Sequence, residues 1–285
     1  MRNLLPVLLL VGLAVALPGF AAPADMMRSG SNAVQPRPDD QSPPPAKEQK
    51  APAADTAPVE QDGTDIRFYG HAFLYLTTSS GIRIALNPFP NDPNMGYTFP
   101  SGLPADVVLI SAEAADLSAN DGFSGLPQVF RSLTGLGVNN ANGLQFRGVA
   151  TYRDNAEQRN PRGNTAYVLE LDRLVFCDLG AIGQVLDKRQ IKEIGHVDVL
   201  FLPVGNPQLS VADLWKLVDQ TGAKWIVPVM YRTPKSPFRD FRTLDDFLNA
   251  PESLKYEKTR LDGNDYLFNY KKLPKEPTLL LYQSP

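Results

Sequence analysis

The chain has 285 residues, 43% hydrophobic and 21% charged, enough apolar material for one substantial core and too little for several. Its 28 Lys and Arg against 31 Asp and Glu give a net charge of -3, without the basic excess that nucleic-acid binding needs, so no nucleic-acid partner is expected. A single cysteine, Cys177, excludes an intrachain disulfide and a Cys-rich zinc or iron–sulfur site, and two histidines, His71 and His196, exclude chemistry built on a histidine cluster.

Arg2 precedes an apolar run from Leu4 to Leu17, and the small residues Gly19, Ala21 and Ala22 follow it. A basic start, a short apolar stretch and small residues predict a secretory signal peptide over residues 1–22, with an uncleaved anchor as the alternative. No cysteine lies nearby to carry a lipid. The expected location is periplasmic or secreted, with no membrane span after cleavage. Residues 23–64 are rich in Pro, Ala, Asp, Gln and Ser, including Pro43-Pro44-Pro45. They bury too little surface to offset chain entropy and predict a disordered tether.

Residues 65–285 are the expected folded domain. Short apolar runs at 66–69, 72–77 and 82–86 predict an antiparallel opening, with Ser79-Ser80-Gly81 as a tight turn. The continuous apolar runs at 107–110, 199–204 and 225–229 are of the kind found in strands buried on both faces. Residues 165–170 and 174–177 predict a hairpin around Asp172-Arg173. Helices are expected over 187–194, over 211–221 between an N-capping Ser210 and Gly222, and over 243–249. Hairpins first and strand–helix alternation later predict a layered α/β sandwich.

Five segments in order carry a resemblance: Gly70-His71-Ala72 entering an apolar strand, Ile84-Ala85-Leu86-Asn87-Pro88, Ala105 to Ser111, Asp198 to Gly205, and Trp225 to Thr233. Together they resemble the metallo-β-lactamase fold hydrolases, in particular the branch that includes ascorbate-6-phosphate lactonase. The resemblance implies a four-layer αββα sandwich over roughly residues 65–282. It also implies a His-x-His-x-Asp-His metal motif after the strand at 107–110. There the chain reads Ser111-Ala112-Glu113-Ala114-Ala115-Asp116-Leu117, so the three histidine positions fall on Ala112, Ala114 and Leu117 and only Asp116 remains. A further histidine is missing from Thr151 to Asp154, the family's bridging aspartate aligns with Ala181, and its last histidine aligns with Met230. Asn87 stands where the family has Asp.

Methyl and thioether groups replacing imidazoles leave no dinuclear site, and no metal or other cofactor is expected. Asp116 and Glu113 are weak candidates for an all-oxygen cation site. Asp116 taken alone reads as a carboxylate at a helix N-terminus, His71 as a structural hydrogen-bonding residue, His196 as a surface or capping residue, and Cys177 as a buried thiol. If the fold holds, the former metal cleft is either a filled core patch or a pocket for an apolar or anionic ligand. Tyr152, Arg153, Met230, Tyr231, Arg232 and His71 are its candidate binding residues. The implied function is a catalytically degenerate member that binds a small molecule or protein. A residual hydrolase of small esters, lactones or phosphoesters is the alternative.

Overall fold

The structure, a computed structural model, describes residues 62–154 and 161–285. The expected signal peptide and nearly all of the expected tether lie outside the described residues.

In chain order the strands are β1 (Thr64–Gly70), β2 (Phe73–Thr77), β3 (Arg83–Leu86), β4 (Leu103–Pro104), β5 (Val107–Ile110), β6 (Phe123–Ser124), β7 (Gln128–Arg131), β8 (Gly137–Ala141), β9 (Leu144–Tyr152), β10 (Gly163–Leu171) and β11 (Leu174–Asp178). Then α1 (Lys188–Ile194), β12 (Val199–Pro203), α2 (Val211–Thr221), β13 (Trp225–Val229) and α3 (Leu244–Leu248) alternate, before β14 (Glu257–Arg260), β15 (Asp265–Phe268) and β16 (Thr278–Leu281). One sheet runs β15-β1-β2-β3-β5-β7 and the other β14-β16-β13-β12-β11-β10-β9-β8, with β4 and β6 forming a small pair of their own. The opening β1, β2 and β3 are antiparallel, whereas β11, β12, β13 and β16 are parallel to their neighbours in that series.

Local chemistry accounts for these elements. β5, β12 and β13 are buried at every position, as their unbroken apolar runs require. α2 is closed by a capping box in which the Ser210 side chain accepts from Asp213 N, and it ends at Gly222 in the left-handed region, φ 62°. Asp187 with Gln190 and Thr243 with Asp246 repeat the device on α1 and α3.

The sheets face one another. Phe146 of β9 meets Phe130 of β7 edge-on at 4.9 Å, and the Tyr167 hydroxyl of β10 donates to the Ile110 carbonyl of β5 at 3.1 Å. α1 and α2 pack on the second sheet, against β9 and β12. On the outer face of the first sheet, Phe73, Phe89, Tyr97 and Phe99 form a second buried core. Phe73 stacks on Phe99 at 6.0 Å and meets Phe89 edge-on at 5.6 Å, contacts worth about 0.5 to 1.5 kcal/mol each beyond the area they bury. The segment that supplies Phe89, Tyr97 and Phe99 holds a 3-10 turn, Pro93–Met95, in place of an α-helix. The fold is the expected α/β sandwich; it has few helices, and on this side aromatic packing does the covering. Among the described residues no helix is long and apolar enough to cross a membrane.

Candidate functional site

β3 and β5 end side by side in one sheet and β11, β12 and β13 in the other, and residues after these strands are bonded across to neighbours. Asn87, after β3, has φ 48°; its Oδ1 accepts from Ser111 N at 2.8 Å, and its Nδ2 donates to Asp178 Oδ2 at 2.6 Å. Gly180 N donates to the other oxygen of that carboxylate at 3.0 Å. Ser111 O in turn accepts from Thr165 N at 2.8 Å, and Met230 N, after β13, donates to His71 O at 2.5 Å. Two further amides hold the turn after β11. Asn164 donates to Leu179 O at 2.9 Å and accepts from Ala181 N at 2.9 Å, while Asn206 donates to Ile182 O at 2.7 Å. Side-chain amides, neutral and two-sided, thus tie both sheets together here.

Of the positions left without donors, Ala114 is partly buried and the others are closed. Ala112, Leu117, Ala181 and Met230 are each at most 1% exposed. Of the expected candidates, His71, Met230, Asp116 and Arg153 come together. His71 Nε2 is 2.9 Å from Asp116 Oδ2, and its ring stacks on Phe238 at 4.6 Å and on Phe241 at 5.8 Å. Burial opposes the Asp116 charge, but the hydrogen bond and charge of His71, aided by Arg153, outweigh it and hold this carboxyl below its ordinary value. Asp116 lies in a turn, so the helix N-terminus expected around it is replaced by the His71 partnership. Arg153 is half-buried and Tyr152 half-exposed at the end of β9. Tyr231 is buried against Phe68, ring centroids 6.3 Å apart, and Arg232 donates to Arg239 O at 2.9 Å. Glu113 is drawn away to Arg131, 2.6 Å, and His196 pairs with Asp198, 2.8 Å.

One alignment is corrected by the strand end. β11 stops at Asp178, so Cys177-Asp178-Leu179-Gly180 occupies the Asp-containing turn, and Asp178 rather than Ala181 holds the aspartate position. Burial pushes this carboxyl up to about 6, against the lowering effect of Gly180 N and Asn87. The neighbouring Cys177 thiol is also raised by burial, which makes it a poor thiolate.

These residues do not fit the metal that the fold implies. The two surviving carboxylates already accept from protein donors, Asp116 from His71 and Asp178 from Asn87 and Gly180. The side chains of Ala112, Ala114, Leu117 and Met230 offer neither nitrogen nor oxygen. Among the described residues no group of three or more His, Cys, Asp or Glu side chains is placed to hold a cation. Asn164, Asn206, Phe238 and Phe241 were not visible as site residues in sequence, because their partners lie far along the chain and none belongs to a donor motif.

Residues 65–230 match the model of the beta-lactamase superfamily domain, more than half of the chain, and the chain belongs to that superfamily. Its fold is that of the metallo-beta-lactamases. Among solved structures it is similar to a Thermotoga maritima protein named as a Zn-dependent hydrolase of the metallo-beta-lactamase superfamily. The two are 29% identical, with TM-score 0.62, over 78% of this chain and all of that one. A second similar structure is Igni18, a metallo hydrolase from Ignicoccus hospitalis, at 17% identity and TM-score 0.49 over 67% of this chain and 91% of that one. No curated protein matches the sequence.

Proposed function

We propose that the chain is an exported pseudoenzyme of this superfamily that acts by binding or scaffolding, with a small molecule or a protein as its partner, in the periplasm or outside the cell. The observation that carries this reading is the closure of the donor positions. Ala112, Leu117 and Met230 are buried and Ala114 is partly buried, none with a side chain that needs a hydrogen bond, which leaves His71 Nδ1 and Ser111 Oγ as the buried polar atoms there without a partner among the described residues. Function follows the site rather than the fold, and this site has lost its nucleophile-generating chemistry while keeping its frame. Tyr152, Arg153 and Arg232 remain accessible at the rim, where two guanidinium groups suit an anionic partner. His71, Met230 and Tyr231 form the buried support beneath them. Export is supported by the Arg2 start and the apolar run that follows.

The test is metal content by mass spectrometry on the full chain after incubation with Zn, Mn and Ca and removal of excess ion. Less than about 0.1 equivalent of each is expected. Near-stoichiometric metal would overturn the pseudoenzyme reading and favour a hydrolase of small esters, lactones or phosphoesters. For export, the protein recovered from the periplasmic fraction is expected to begin close to residues 21–24; an intact Met1 on protein retained inside the cell would overturn it.

A further inference from the structure

From Gly122 to Phe146 the chain carries a single charged residue, Arg131, and Arg131 is already paired with Glu113 at 2.6 Å. This run builds β7 and β8, the terminal strands of the two sheets on one side of the sandwich. Large exposed apolar side chains concentrate on it: Leu126 is 98% exposed, Leu133 76% and Val138 69%, three of the five among the described residues. Scattered exposed apolar residues need no explanation, but a cluster on an uncharged edge marks an interaction surface.

The edge of β8 is unguarded. At the opposite end of the same sheet, β14 reads Glu257-Lys258-Thr259-Arg260, the charged pattern that discourages strand addition. β8 reads Gly137-Val138-Asn139-Asn140-Ala141, with no charge and no proline. Its hairpin to β9 turns at Asn142-Gly143, φ 50° and 83°, flanked by the Ala141–Leu144 pair. In a two-residue hairpin that flanking pair is hydrogen-bonded, and bonding alternates along the strand. Gly137, Asn139 and Ala141 therefore spend their backbone groups on β9, while the N–H and C=O groups of Val138 and Asn140 point outward.

We propose that this edge pairs with a second copy of the same chain, antiparallel about a twofold axis at Asn139. A twofold pairing sets the residue on the axis against its own counterpart, so a charge there would meet its like. The uncharged β8 is suited to that arrangement. Val138 N–H donates to the carbonyl of Asn140 of the partner subunit, and Asn140 N–H donates to the carbonyl of the partner's Val138, in both directions. The outward groups lie symmetrically about Asn139, so a second copy satisfies all of them without a change of backbone. The exposed Val138 side chain lies at the seam and is covered with it.

The test is sedimentation velocity on the full chain over roughly 1 to 100 µM, a range that brackets the dissociation constants of modest dimers. A concentration-dependent dimer is expected. Val138→Lys is expected to weaken it at least about tenfold, because the lysine lies opposite an uncharged Asn140 and must be desolvated. Adding Asn140→Glu in the same chain sets Lys against Glu at both symmetric positions and is expected to restore most of the affinity. Val138 faces Arg147 of β9 in its own chain, so Val138→Lys is expected to lower the thermal midpoint slightly while its circular dichroism matches the native chain; Glu257→Lys on the far edge serves as a control that leaves the dimer intact. A native chain that stays monomeric, a dimer that Val138→Lys leaves unchanged, or a double variant no tighter than Val138→Lys would overturn the proposal.

Discussion

His71 and Asp116, 45 positions apart, meet at 2.9 Å where β1 gives way to β2 and where the loop after β5 turns back. The imidazole is fully enclosed, stacked on Phe238. Because the Asp116 carboxyl is held below its ordinary value in the folded chain, the sign of its contribution is fixed: stability is present above the unfolded carboxyl value of about 3.9 and is lost as pH falls through the folded value. Asp116→Asn is therefore expected to cost about 1 to 3 kcal/mol at neutral pH, with the gap to the native chain narrowing below about pH 4. Urea unfolding of both proteins across pH checks this; a gap independent of pH would mean that the contact is not ionic.

Restoring one lost donor should not restore a metal site. Ala112 is fully buried among packed neighbours, so Ala112→His inserts a ring where only a methyl fits. Overpacking of this kind costs about 1 to 3 kcal/mol, and the new imidazole would be left to find a buried partner. The expected outcome is a lower thermal midpoint with no zinc bound by mass spectrometry. A variant that is more stable in zinc than without it would show that the donors at the strand ends can be reassembled.

Legibility in the sequence followed the strength of the local signal. β5, β13 and α2 are where they were expected because an unbroken apolar run or a capping box decides them without help from the rest of the fold. β14 was not visible: Glu257-Lys258-Thr259-Arg260 is exposed at every position and is a strand only because β16 holds it in register. β8 and β9 carry no clean alternation and depend on the Asn142-Gly143 turn. At the site, the missing histidines could be read directly, since a residue type is either present or absent. The aspartate position could not, because placing it requires the end of β11, and the Asp178–Gly180 turn is defined by Asn87 and Asn164, far off in sequence. Asn87 stood out only as a substitution, and the structure supplies its reason.

That turn also has no room for added atoms. Gly180 has φ 59°, and a β-carbon there would run into the Ser111 side chain and Asn164 Oδ1. Gly180→Ala is expected to destabilise by more than the 1 kcal/mol or so that a left-handed backbone alone costs, on the order of 2 to 4 kcal/mol, because a fully packed interior must move. Chemical denaturation checks it. The comparison variant is Gly222→Ala, where φ is 62° and nothing lies within 4 Å of the added carbon, so only the backbone cost should be seen.

Asn87 and Asp178 allow the sharpest test of what replaced the metal-binding chemistry. Both oxygens of Asp178 accept N–H donors, and Asn87 Oδ1 accepts from Ser111 N, so the polarity of the pair is set from both ends. Asp178→Asn turns one acceptor into a donor that faces either Gly180 N or Asn87 Nδ2, and is expected to cost about 1 to 3 kcal/mol. Asn87→Asp places two carboxylates within hydrogen-bonding distance and should be worse at pH 7 and relieved by acid. When both substitutions are combined, the carboxylate at position 87 accepts from Ser111 N and from the amide at position 178. The oxygen of that amide still accepts from Gly180 N, so every bond is rebuilt with the roles exchanged. Most of the loss should be recovered, giving a coupling energy of about 1 to 3 kcal/mol in the double-mutant cycle. The native pH profile adds a second reading. With the Asp178 carboxyl raised to about 6, the folded chain holds a proton that the unfolded chain has released between about pH 4 and 6, so this group makes stability fall as pH rises across that window, by at most about 3 kcal/mol. Above pH 6 its contribution is flat. Urea unfolding at pH 4.5, 5.5 and 7 for the four proteins separates the two effects: Asp178→Asn should lose this slope, and a slope that survives the substitution would assign it to another group.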